Sequence, residues 1–98
     1  MGWSCEFDAL LWEWESSPKD TAWFFVTVPE DESEEIRLHA GPPRGFGSVR
    51  VEATIGATTW RTSVFPVSGS FSLPVKKAVR RAESLETGDS ARVRLELI

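Results

Sequence analysis

The sequence predicts a mainly β domain: a double-split β-barrel with two short helices and pseudo-two-fold symmetry. Three observations lead there. One order of segments occurs twice: a strand ending in Pro, a charged helical stretch, a turn with Gly and an alternating strand. It runs first through Phe25-Val26-Thr27-Val28-Pro29, Ile36-Arg37 and Gly47 to Ile55, and again through Ser70-Phe71-Ser72-Leu73-Pro74, Val79-Arg80 and Gly88 to Leu97. Several segments alternate apolar and polar residues with a period of two, as strands with one covered face do. Finally, 98 residues with five Trp and six Phe supply one modest core without a disulfide or a metal, each ring burying roughly 150–250 Å². Residues 1–98 are therefore read as a single domain.

The first strand is expected over Cys5 to Trp14. Phe7, Ala9 and Leu11 alternate with Glu6 and Asp8, while Leu10, Trp12 and Trp14 fall on the second face and imply that it too is partly covered. Ser16-Ser17-Pro18-Lys19-Asp20 is a turn cluster, and Ala22 to Val28, aromatic and β-branched, returns as the second strand of a hairpin. Pro29 suits a first helical position, and Glu30, Asp31, Glu32, Glu34 and Glu35 place negative charge where the helix dipole favours it; this helix should end near Ala40. Gly41 to Gly47 reads as a stiff loop, with Gly45 and Gly47 expected at positive φ, leading into a strand Ser48 to Ile55 whose Val49, Val51, Ala53 and Ile55 share a face. Gly56-Ala57 suits a two-residue hairpin loop before a strand Thr59 to Phe65, and Pro66 to Gly69 reads as the next connection. A short strand Ser70 to Leu73 is followed by a second helix from Pro74, with Val75, Ala78, Val79 and Ala82 on one side and Lys76, Lys77, Arg80 and Arg81 on the other. Thr87-Gly88-Asp89 ends it, and Val93, Leu95 and Leu97 alternate with Arg92, Arg94 and Glu96 in the last strand.

Charge and cysteine content narrow the setting. Residues 1–43 carry ten acidic and two basic side chains, a balance of −8, whereas residues 44–98 carry nine basic and five acidic, a balance of +4. In an interleaved barrel this split yields either one acidic and one basic face or charge balance between the halves. Cys5 is the only cysteine, so no internal disulfide forms and a reducing, cytoplasmic setting is expected, with Cys5 an inert thiol. No stretch approaches a membrane span. Eight Arg against three Lys, with no Tyr, Asn or Gln, fit a GC-rich bacterial genome.

Three blocks carry a family resemblance: Arg44-Gly45-Phe46-Gly47-Ser48-Val49, Thr59-Trp60-Arg61-Thr62-Ser63-Val64-Phe65-Pro66 and Leu73-Pro74-Val75-Lys76-Lys77-Ala78-Val79-Arg80. In this order they closely resemble the signature blocks of a small bacterial domain of unknown function, the family numbered nineteen-oh-five, and the resemblance covers nearly the whole chain. It implies a double-split barrel similar to the AbrB-like swapped-hairpin regulators, with both halves fused in one polypeptide. It implies no activity and no catalytic residue.

Three functional readings follow. The first is a small cytoplasmic binding or interaction module for a small anionic or aromatic ligand or a protein partner. Its candidate residues are Arg44, Phe46, Arg50, Trp60 and Arg61, since Arg clamps carboxylates or phosphates and an indole stacks on planar groups. Against it stands a structural account in which Trp60 is core and Arg61 pairs with Glu52 across a hairpin. The alternative is an AbrB-like nucleic-acid-binding regulator. It would use Lys76, Lys77, Arg80 and Arg81 as a patch for an anionic partner, although the net charge of −4 weighs against a phosphate-tracking surface. The third is a cavity-type enzyme of specialised metabolism in which a Trp-lined cavity promotes a cyclisation by shape. His39 is the only histidine, and the paired acids Glu13 and Glu15 are explained as a solvated edge, so no catalytic residue, metal or cofactor is assigned. A monomer without membrane association is expected.

Overall fold

Alternation of buried and exposed side chains is clearest along the strands Val49–Ile55 and Ser90–Leu97, and it gives the sheet a covered inner face. In a computed structural model, which describes residues 3–14, 23–41 and 47–98, six antiparallel strands form a closed barrel with two helices. The elements are β1 (Ser4–Trp14), β2 (Trp23–Val28), α1 (Glu30–Ala40), β3 (Val49–Ile55), β4 (Thr58–Val67), β5 (Ser70–Pro74), α2 (Lys77–Ala82) and β6 (Ser90–Leu97). Around the barrel the order is β1-β2-β5-β4-β3-β6. Exchanging β1, β2 and β3 for β4, β5 and β6 leaves this cyclic order unchanged, so the connectivity itself is two-fold.

The expected first hairpin is present, with Leu11 opposite Val26 and Trp14 opposite Trp23, while its turn, Ser16 to Asp20, lies outside the described residues. β1 is long because it serves two neighbours: Ser4 to Leu10 pair with β6, and Leu11 to Trp14 pair with β2. Inward residues Leu11, Val26, Val28, Val51, Val64, Leu73, Val93 and Leu95 are at most 1% exposed and fill the barrel. β-branched side chains suit such a pleated, enclosed surface.

The hairpin β3–β4 turns at Gly56-Ala57 as expected, with Gly56 at φ +59°. A positive φ at the first turn position is what a type II′ loop needs, and Gly meets it without steric cost. The next turn is shorter than the sequence suggests. Pro66 and Val67 extend β4, opposite Phe71 and Ser70, and the loop shrinks to Ser68-Gly69, both at positive φ.

Both helices begin later than their prolines suggest. Pro29 keeps an extended ψ of 158° and caps α1, which starts at Glu30. Pro74 is the last residue of β5, opposite Phe25, and the Val75 N–H donates to the Phe24 carbonyl at 2.8 Å. That bond keeps the chain extended, so α2 starts at Lys77 and spans six residues. Its expected apolar stripe is correspondingly narrower: Val75 and Val79 are buried, but Ala78 and Ala82 are exposed.

Side-chain bonds tie the helices to the barrel. Ser33, fully buried, donates to the Val28 carbonyl and accepts from the Phe71 N–H, both at 3.1 Å. Arg37 of α1 donates to the Gly69 carbonyl and lies 5.4 Å from the Phe71 ring centre. In the other half, Arg80 of α2 lies 3.7 Å over the Phe24 ring and donates to the Val75 carbonyl at 3.2 Å. Each helix thus lays an arginine over a phenylalanine of the opposite half, a cation–π contact that also covers apolar stem.

Candidate functional site

The outer wall of the barrel divides into two chemically different halves. Across β1, β6, β3 and β4 it is a ladder of opposite charges. Arg92 reaches Glu6 at 3.4 Å and Asp8 at 3.3 Å, Arg94 reaches Glu6 at 3.8 Å, and Arg61 reaches Glu52 at 3.6 Å. Acidic β1 against basic β6 is charge balance between the halves of the chain, one of the two outcomes expected of the uneven charge. Such exposed pairs contribute little stability and leave a well-hydrated surface.

The other half, across the C-terminal ends of β1 and β4 and the whole of β2 and β5, is aromatic. Antiparallel register sets Trp12 opposite Phe25 and Trp14 opposite Trp23. The Trp12 and Phe25 rings meet at 5.0 Å between centres, and Trp23 stacks on Phe25 at 6.4 Å with planes 13° apart. Pro74 and Ser72 of β5 continue this face, and Phe65 and Val67 of β4 close its far side. Between these walls runs an open groove of about 470 Å³, within the usual range of small-ligand sites, ~300–1,000 Å³. No charged side chain lines it among the described residues. Trp14, Trp23, Phe65 and Val67 remain 42–51% exposed, an unusual concentration of large apolar groups in water.

Polar groups within this face are few. The Trp12 indole N–H donates to Thr27 Oγ1 at 2.9 Å and is thereby satisfied. Ser72 is 4% exposed, and its hydroxyl makes no hydrogen bond with any described residue. A buried hydroxyl without a partner is uncommon and calls for a physical reason.

The residues singled out in the sequence do not converge. Arg44 and Phe46 lie outside the described residues, as do Gly45 and Glu15. Trp60 is 8% exposed and belongs to the core, whereas Arg61, next to it on β4, points outward to Glu52; consecutive strand residues face opposite sides. Arg50 lines a separate, more polar cleft of about 440 Å³ with His39, Ser48 and Ile98. His39 is already engaged, paired with Glu35 at 3.3 Å and stacked on Trp3 at 5.6 Å between centres. Of the basic residues near α2, Lys76, Lys77 and Arg81 are exposed, while Arg80 is held against Phe24 and its burial lowers its pKa. Cys5 is half-buried. Burial, reinforced by Glu32, pushes its thiol up to about 11, so it is protonated at neutral pH. Among the described residues no three His, Cys, Asp or Glu side chains converge as a metal site requires, and no helix is long and apolar enough to cross a membrane.

The groove residues were visible in the sequence only as an anomaly, the apolar second face at Leu10, Trp12 and Trp14. The stronger signal was the lack of charge at outward positions of three further strands: Trp23, Phe25 and Thr27; Ser70, Ser72 and Pro74; Phe65 and Val67. Those positions become one surface only once the barrel order is known.

The molecule is thus a small closed antiparallel barrel with an aromatic groove on its outer wall. The chain belongs to the family described as Domain of unknown function (DUF1905), which matches residues 7–95. Among curated proteins, none matches it.

Proposed function

We propose that this protein is a binding module whose ligand site is the aromatic groove on β1, β2, β5 and β4. One observation carries the reading: four large apolar side chains, Trp14, Trp23, Phe65 and Val67, are held about half-exposed around a continuous groove. Leaving such groups in water is unfavourable by roughly 25 cal/mol per Å² of apolar surface, and an apolar ligand recovers that free energy on binding. Of the two ligand chemistries expected from the sequence, anionic and aromatic, the groove favours the aromatic one. It offers ring faces and lacks any cation among the described residues.

The test is an NMR titration of nitrogen-15-labelled protein with neutral two-ring aromatics. The indole N–H signals of Trp14 and Trp23 should shift in a saturable manner while that of buried Trp60 stays fixed. Saturable shifts at Arg50 and His39 instead, or none anywhere, would refute the reading.

A further inference from the structure

We infer that the groove selects an uncharged, planar aromatic molecule bearing one hydrogen-bonding atom on its rim, of the phenol class, which bonds to the Ser72 hydroxyl. This inference rests on the groove being a binding site and adds which chemistry it takes. Three observations combine.

The first is charge. Every ion pair of the outer wall among the described strands lies on the opposite half of the barrel, and no charged side chain lines the groove among the described residues. An ionised ligand would shed its hydration there without a counter-charge, so the neutral form binds.

The second is area. Half-exposure of three rings and one valine leaves on the order of 400 Å² of apolar surface open, given ~150–250 Å² per ring. That area suits a small planar molecule lying over the rings, and the groove's volume of about 470 Å³ is that of a small-ligand site.

The third is Ser72. Its neighbours in sequence, Phe71 and Leu73, point into the core, which turns the Ser72 side chain outward, between Thr27 and Phe65 in register, onto the groove. It is 4% exposed and has no hydrogen-bond partner among the described residues. Ser33, the other buried serine among the described residues, uses its hydroxyl as both donor and acceptor. A hydroxyl can rotate to donate or accept, so a planar ligand lying over the Phe25 ring with its hydroxyl toward the Thr27–Ser72 row would complete Ser72 in either sense.

The experiment is calorimetric titration of wild type and Ser72→Ala with naphthalene, 2-naphthol and 2-naphthoate. In wild type, 2-naphthol should bind about tenfold more tightly than naphthalene, and 2-naphthoate more weakly than either. Ser72→Ala should erase the naphthol advantage while leaving naphthalene affinity and the melting temperature unchanged. Equal affinity for naphthol and naphthalene in wild type, or an advantage that survives Ser72→Ala, overturns the role of Ser72. Tightest binding of 2-naphthoate overturns the neutral-ligand inference. Binding of none of the three withdraws the groove as a site, a failure distinct from the other two.

Discussion

Ser33 and Ser72 are both buried, and hydrogen bonding alone separates the structural hydroxyl from the one proposed to meet a ligand. Ser33 sits where α1 meets the barrel, bridging the Val28 carbonyl and the Phe71 N–H at the end of the β2–β5 ladder. Removing its hydroxyl strands both backbone groups away from water. Ser33→Ala should therefore cost about 1–3 kcal/mol, measured by urea unfolding, with native secondary structure retained. Neither role was legible in the sequence, where both serines read as generic polar residues of a helix and a strand. Their difference is created by which backbone groups they meet. Arg61 and Trp60 were legible by contrast: the structural account, in which Arg61 pairs with Glu52 across a hairpin and Trp60 is core, follows from the β3–β4 register and from the alternation set by Val64.

At the scale of elements, the strands were largely legible because alternation is a local signal. β6 agrees with its expected span, and the β3–β4 turn falls at Gly56-Ala57 as expected. The helices were less so. Proline marked their approach correctly, but a strand bond through Val75 delays α2, and the helix that remains is too short to be held by an apolar stripe. Anchors at its ends do that work. Glu83, its C-terminal cap residue, accepts from Thr58 Oγ1 at 2.6 Å and from the Ala57 N–H at 3.3 Å. Its carboxylate also occupies the space that a Cβ at Gly56 would need. Glu83→Ala should accordingly speed hydrogen exchange at the Ala57 amide and lower stability by about 1–2 kcal/mol, with exchange at core amides of β6 shifted only by that global loss.

For the whole molecule, the division of the outer wall into a charged half and an aromatic half is the feature on which the proposed binding function rests. It depends on all six strands taking their places in the order β1-β2-β5-β4-β3-β6, which brings together residues as far apart in the chain as Trp12 and Pro74. Hence the sequence showed the aromatic residues but not the surface they make. It directed attention to Arg-containing strands and loops because charge is conspicuous locally, whereas the absence of charge is conspicuous only across a sheet. The most direct measurement of the central claim is the affinity of the double variant Trp14→Ala/Trp23→Ala for 2-naphthol, taken beside its melting temperature. A surface that exists for a ligand should lose binding by tenfold or more, with melting within about 5 °C of wild type. Trp60→Ala, by contrast, should cost about 3–5 kcal/mol of stability, because that ring is core. A folded double variant that binds 2-naphthol as tightly as wild type would contradict the account.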